Sequence, residues 1–242
     1  MKSKLIFLIT LLSLAWLPGR SQDMKLDDIL NSYYKAIGFE KMKDFQTIIG
    51  TCKMVGQPME VPVTFYIKRP GKVRVEVLVQ GNKMISAYDG TSGWSITPWS
   101  GSSDPQDMTA DEIKGMKEQA DIEGPLYNWK EKGHKVELIG KEDLECSSVY
   151  KIKLTKADGD IETYYIDADS FVPLKTTSIT KIQGNESESE TYMSNYADFN
   201  GVMMAKTIAN KYKGQVVSTI QMDKVEFNQP VSDSLFMKPA KK

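Results

Sequence analysis

Residues 61–79 read VPVTFYIKRPGKVRVEVLV. Val61, Val63, Phe65 and Ile67 alternate with Pro62, Thr64, Tyr66 and Lys68, and Val73, Val75, Val77 and Val79 repeat the pattern against Arg74 and Glu76. A side-chain period of two is that of a β-strand with one apolar face. Pro70-Gly71 between the runs is a tight-turn signal, so the stretch predicts an antiparallel hairpin. Arg69 continues the odd-numbered apolar series, which puts its guanidinium on the apolar face unless it leans out at the strand end. A guanidinium held there needs acceptors, and exposed helix-end carbonyls of a lid would supply them.

The same period extends in both directions. It begins at Thr47, and Lys83 to Tyr88 and Gly93 to Thr97 form two further strands around Asp89-Gly90. Pro98 to Gly133 interrupts the meander with a Gly/Ser/Asp/Pro loop and then Thr109 to Glu112, a capping box that starts a helix at Ala110. Ile113, Met116 and Ala120 share one face of that helix, and a second short helix carrying Leu126 and Trp129 is expected after Gly124-Pro125. Helices that interrupt a sheet must cover it. Strands resume through Val136–Ile139, Tyr150–Leu154, Ile161–Ile166, Val172–Ile182, Thr191–Tyr196, Val202–Tyr212 and Val216–Phe227, divided by turn signals such as Asp158-Gly159, Gly184-Asn185 and Asn200-Gly201. The run Glu186 to Glu190 is expected at a solvated hairpin tip. About eleven strands with few helices predict a mainly β chain, a sandwich or a curved, partly closed barrel.

Upstream, Lys2 and Lys4 precede an apolar run from Leu5 to Leu17, too short to cross a bilayer core of about 30 Å. With Gly19 and Ser21 behind it, this is expected to be a secretory signal over residues 1–21, cut before Gln22 with no cysteine there for lipid attachment. Residues 22–242 then form one domain, since no linker divides them. Asp23 is the expected N-cap of an amphipathic helix with Leu26, Ile29, Leu30, Tyr33 and Ile37 on one face, closed by Gly38.

The totals limit what such a sheet could do. Thirty-one basic and 32 acidic residues give a formal charge of −1, which excludes the basic footprint of a nucleic-acid-binding protein. Partners must be recognised by shape and apolar contact. The 13 methionines suit an irregular core or an adaptable cavity equally. Cys52 and Cys146 allow one disulfide or two buried thiols. His134 is the single histidine, so no His-based zinc or facial-triad site can form. Gly-Xaa-Ser-Xaa-Gly, phosphate-loop and Cys-Xaa-Xaa-Cys patterns are absent, and Asp167 and Asp169 read as turn residues, so no enzyme, metal or cofactor is expected.

Several motifs occur in a fixed order: Lys68-Arg69-Pro70 after the alternating strand, then Asp89-Gly90, Trp94 and Pro98. Gly124-Pro125-Leu126 to Trp129 to Lys132-Gly133, Tyr164 to Asp167, and Phe227-Asn228 to Leu235-Phe236 to Pro239 complete the set. In this order the chain resembles the LolA/LolB-like family of outer-membrane lipoprotein-sorting proteins over residues 24 to 240. The resemblance implies a single unclosed antiparallel β-barrel wrapped around an apolar cavity with a helical lid. It also implies a periplasmic, monomeric carrier that receives lipoprotein acyl chains, or another lipid, from an inner-membrane donor and passes them to an outer-membrane acceptor. Arg69 matches the family's gating arginine. The expected lining is Val63, Phe65, Ile67, Val75, Val77, Trp94 and Ile96 from strands, with Met116, Leu126 and Trp129 from the lid. A lipid- or lipoprotein-sensing module acting through a protein partner, and an envelope scaffold with a filled core, are the alternatives on the same fold.

Overall fold

The computed structural model describes residues 24–56, 59–100, 104–182 and 185–240. The expected signal peptide and Asp23 lie outside these residues. Among the described residues thirteen strands form one sheet in the order β6-β5-β4-β3-β2-β1-β13-β12-β11-β10-β9-β8-β7. Six run outward from β1: β1 (Thr47–Gly56), β2 (Met59–Lys68), β3 (Lys72–Val79), β4 (Asn82–Tyr88), β5 (Gly93–Ile96) and the two-residue β6 (Gln106–Asp107). The other seven are β7 (Lys135–Leu144), β8 (Ser147–Thr155), β9 (Ile161–Asp167), β10 (Pro173–Ile182), β11 (Asn185–Phe199), β12 (Val202–Tyr212) and β13 (Gln215–Phe227). Each pairs antiparallel with its neighbour, and β13 returns to β1 so that the first and last strands meet in the middle. β6 and β7 are the two free edges, so the sheet is unclosed.

More strands form than the periodicity predicts. β6 is too short for any period to announce. β7 runs past Ile139 because the pairing with β8 shifts between Leu138 and Gly140, a bulge that carries the strand through the glycine. Glu186 to Glu190 is not a hairpin tip. It opens β11, with Glu190 directly opposite Thr177 and ion-paired to Lys175. Charged side chains on an exposed sheet face satisfy the strand period as well as they satisfy a loop.

Among the described residues three helices cover one face. α1 (Leu26–Ala36) carries Asp27 and Asp28 in its first turn, where they complement the helix dipole. It ends at Ala36 with Ile37 as its C-cap, and Gly38 follows in the left-handed region (φ 75°). A β-carbon on Gly38 would collide with the backbone of Gly201, so glycine is required there on both counts. The one-turn α2 (Phe39–Met42) leads into β1. α3 (Ala110–Ala120) has the expected capping box, with Thr109 accepting from the Glu112 N–H while the Glu112 carboxylate accepts from the Thr109 N–H at 2.7 Å.

The expected second lid helix does not form. Gly124 and Asn128 both adopt positive φ, 71° and 49°, and residues 125–133 are a series of turns. Lys132 Nζ donates to Asp121 Oδ2 at 2.6 Å and to the Gly124 carbonyl at 2.8 Å, which gathers the segment into a compact loop. Nor do the cysteines pair: Cys52 is buried on β1 and Cys146 is exposed in the β7–β8 turn. After β13 the C-terminal segment crosses the uncovered face, where Phe236 is fully buried and a 3-10 turn spans Asp233–Leu235. Among the described residues no helix is long and apolar enough to cross a membrane.

Candidate functional site

The covered face is built by cross-strand register. Phe227, Ile48, Ile67, Val73 and Tyr88 stand side by side from β13 to β4. The next row is Val225, Gly50, Phe65, Val75 and Ser86, and above it come Met222, Cys52, Val63, Val77 and Met84. Gly50 is a close-approach position, because the Phe65 ring occupies the space where a β-carbon would stand. Burial pushes the Cys52 thiol up to about 11, aided by the charge of Asp223, so the wall carries no thiolate.

Three apolar clusters bury the covered face, two on this wall and one on β7 to β9. Met116 and Ala120 of α3 pack on Val73 and Tyr88 with Ile113 and Val75 beside them. Ile122, just after α3, joins Phe45, Ile48, Cys52, Val202, Met222 and Val225. Leu126 and α1 residues Ile29 and Leu30 pack on Val136, Ile152, Leu154, Tyr164 and Ile166.

Arg69 sits where parity places it, half-buried beneath the loop that leaves α3. Its Nε donates to the Phe45 carbonyl at 2.7 Å, and Nη2 reaches the Met42 carbonyl at 3.3 Å and the Glu123 carboxylate. The carbonyls are therefore not those of the lid, as expected, but belong to α2 and the turn after it, and the lid contributes a carboxylate instead. One guanidinium thus ties β2, α2 and the α3 exit loop together, a geometry its planar fork of donors suits better than a lysine would.

A groove of about 990 Å³ opens beside α3, between that helix and the β8–β9 connection. Its walls include Ile113, Pro125, Ala157 and Tyr164. Charged residues close its rim. Lys114 Nζ of α3 reaches Asp158 Oδ2 at 2.8 Å and Asp160 Oδ2 at 2.6 Å, and Lys156 Nζ of the connection reaches Glu118 Oε1 of α3 at 2.8 Å while also meeting Glu162. Burial works to lower Lys156, but its bonds to Glu118 and Glu162 outweigh it and hold the ammonium above its ordinary range. Glu118, Asp158 and Asp160 approach one another closely enough for a cation, but each is already ion-paired, Asp158 and Asp160 to Lys114 and Glu118 to Lys156.

Val63, Phe65, Ile67, Val75, Val77 and Met116 all lie on the covered wall or its α3 cover, and Leu126 and Trp129 lie in the cluster beneath α1. Trp94 and Ile96 do not join them. Trp94 is registered with Ala87 and Arg74, and Ile96 with Ile85 and Glu76, all on the opposite face. There the Trp94 Nε1–H donates to the Phe236 carbonyl at 2.8 Å and Arg74 lies over its ring, so the C-terminal segment, not a ligand, covers it. Strand parity within β5 alone is ambiguous, because the turn at Asp89 to Ser92 fixes its phase. Glu123, Lys114 and Lys156 carry no sequence pattern of their own; only the capping box, which fixes where α3 begins, locates Lys114 and Glu118 on one helix.

No model of a known protein family matches the chain, and no curated protein matches it. Solved structures do. A LolA superfamily protein from Nitrosomonas europaea superposes with a TM-score of 0.60 at 15% identity, covering 89% of this chain and 98% of that one. A DUF1329 family protein from Desulfovibrio piger gives 0.58 at 12% identity over 86% and 97% of the two chains. A putative outer membrane lipoprotein-sorting protein domain from Vibrio parahaemolyticus gives 0.56 at 13%, over 85% and 97%. At these identities the fold is shared: an unclosed antiparallel sheet of LolA type.

Proposed function

We propose that the chain is a periplasmic carrier that binds acyl chains of lipoproteins, or of another lipid, against the covered face of its sheet. It acts as a monomer, takes its cargo from an inner-membrane donor and delivers it toward an outer-membrane acceptor, and carries out no reaction. The observation that carries this reading is the unbroken apolar register from Phe227 through Ile48, Ile67 and Val73 to Tyr88, roofed over β3 and β4 by a short helix rather than by a second sheet. The shared LolA-type fold supports it. Each buried methylene contributes about 0.8 kcal/mol, so one partly enclosed chain is enough for roughly micromolar binding after the cost of association. Arg69 holds the empty state shut by joining the α3 exit loop to α2.

Lipids retained by protein purified from a native periplasm, identified by mass spectrometry, name the cargo. A transfer assay with a fluorescent acylated peptide tests the mechanism. Arg69→Leu removes the polar latch and keeps the apolar wall, so loading no longer competes with latch formation. The variant is expected to retain cargo more tightly and release it poorly to acceptor vesicles. Wild type without saturable binding, or a variant that loads and releases like wild type, overturns the carrier mechanism.

A further inference from the structure

α3 touches the two arms of the unclosed sheet by different means. Toward β3, β4 and β5 it presents Met116 and Ala120, buried against Val73 and Tyr88. Toward the β8–β9 connection its contacts are the ion pairs of Lys114 and Glu118. The edges that would close the barrel, β6 and β7, do not pair, so this helix bridges the gap that hydrogen bonds leave open. The groove lies on the ionic side, and its floor residues Ile113 and Tyr164 belong to two different buried clusters, so it marks the seam between them.

We propose that this groove is the doorway for an aliphatic chain, and that α3 is hinged on its β3–β5 side and clasped by ions on its β8–β9 side. The inference rests on the acyl-binding reading for what passes through, but not for how the helix moves. Apolar contacts keep their strength in salt, whereas ion pairs with exposed members are screened, so the side toward Asp158 is the one that yields. Asp158 and Glu118 are both exposed, and Lys156, 8% exposed, keeps Glu162 when Glu118 leaves, so the cost of opening falls on one buried carboxylate, Asp160, which gives up its bond to Lys114. The charges close on one another, three carboxylates from Asp158, Asp160 and Glu118 meeting Lys114 and Lys156. The third lysine of the lining, Lys117, lies over the Tyr88 ring, and with Asp121 and Glu162 the carboxylates of the rim outnumber its ammonium groups, which disfavours an anionic headgroup. What it admits is the uncharged tail, over Ile113, Pro125 and Tyr164.

Amide exchange of α3 in the ligand-free full chain tests the clasp, and association rates of a dansyl-labelled fatty amine and fatty acid test the doorway. Lys114→Glu places a carboxylate against Asp158 and Asp160, and α3 amides should exchange roughly fivefold faster, with high salt producing a similar gain in wild type. Adding Asp158→Lys to Lys114→Glu should restore the slow rate. Glu118→Gln, which leaves Lys156 paired with Glu162, is the milder variant should the reversal disturb folding, with a gain of roughly twofold. Both probes should associate faster with each loosened variant, by a similar factor. Exchange that ignores charge reversal, salt and the rescue overturns the clasp. Saturable probe binding at rates indifferent to all variants overturns the doorway and leaves the acyl-binding reading standing. No probe binding in any variant overturns the acyl-binding reading and the doorway with it, while exchange still decides the clasp.

Discussion

α1 and α3 have the same length and cover the same sheet, yet they are seated differently. α1 drives Ile29 and Leu30 into a cluster where Ile152, Leu154 and Ile166 are fully buried. Its exit is tied down as well, the Met203 N–H donating to the Ile37 carbonyl at 3.1 Å and Tyr34 Oη to the Leu126 carbonyl at 2.7 Å. α3 has a narrower apolar stripe, a glycine in its middle and charged contacts along one flank. On the proposed clasp, stability in such a sheet is local: one helix is part of the core, the other is a cover whose detachment costs less than unfolding.

The largest expected effect separates the two seats. Ile152→Ala beneath α1 should lower global stability by about 3 kcal/mol, since nothing near a fully buried strand position relaxes easily. Met116→Ala beneath α3 removes a comparable side chain but should cost only about 1 kcal/mol in urea unfolding, because once the cover can detach the remaining loss no longer reaches the sheet. Amide exchange should show the difference directly in the Met116 variant, with α3 fast and Val73 to Val79 still protected. Equal losses in the two variants, or wild-type α3 amides protected as strongly as those of β3, would make α3 fixed packing and erase the distinction.

How much of this was legible depends on the kind of contact. The β2–β3 hairpin was fully readable because one face is apolar and the other polar, so period and phase are both written in Val61 to Val79. Arg69 was readable for the same reason. Trp94 and Ile96 were misplaced because β5 is four residues long and its outer face is made apolar by a C-terminal segment more than a hundred residues away. A second lid helix was inferred from Leu126 and Trp129, but Asn128 takes a left-handed conformation and the Lys132 ammonium, not a helical ladder, satisfies the backbone. The clasp was invisible because its partners, α3 and the β8–β9 connection, are joined only in three dimensions, and lysine–carboxylate pairs leave no period in a sequence.

Two substitutions should move α3 in opposite directions without touching the sheet. Thr109→Ala removes half of the capping box and should destabilise the helix by about 1 kcal/mol. Gly115→Ala should stabilise it by about 0.5–1 kcal/mol, since a β-carbon there meets nothing within 4 Å and relieves the entropic cost of a mid-helix glycine. Exchange within Ala110–Ala120 reports both, faster in the first and slower in the second, and cargo loading should follow the same order. If Gly115→Ala slows exchange but loading is unchanged, the helix is not the part that moves aside.

The smallest effect concerns pH, at the far lip of the same groove. Burial lowers the affinity of His134 for a proton, and the charges of Lys132 and Lys156 lower it further, with Asp158 and Asp121 opposing in part. Its Nδ1 accepts the Ala157 N–H at 3.1 Å, a bond that the neutral ring makes. The folded chain therefore takes up this proton at lower pH than the unfolded chain, whose histidine titrates near 6.5. Above that value neither state is protonated and the contribution is constant; as pH falls through it the unfolded state binds the proton first, and stability drops until the folded value is passed as well. His134→Gln offers an amide oxygen to the same N–H and does not titrate. The wild-type urea midpoint should consequently fall more steeply than the variant's below pH 6.5, the carboxylates contributing equally to both. In Glu118→Gln, where α3 is loosened and the groove admits more water, the histidine should titrate nearer its ordinary value, because hydration weakens the burial that lowers it. Parallel midpoint curves for wild type and His134→Gln would show that this lip of the groove is already open to solvent in the closed state.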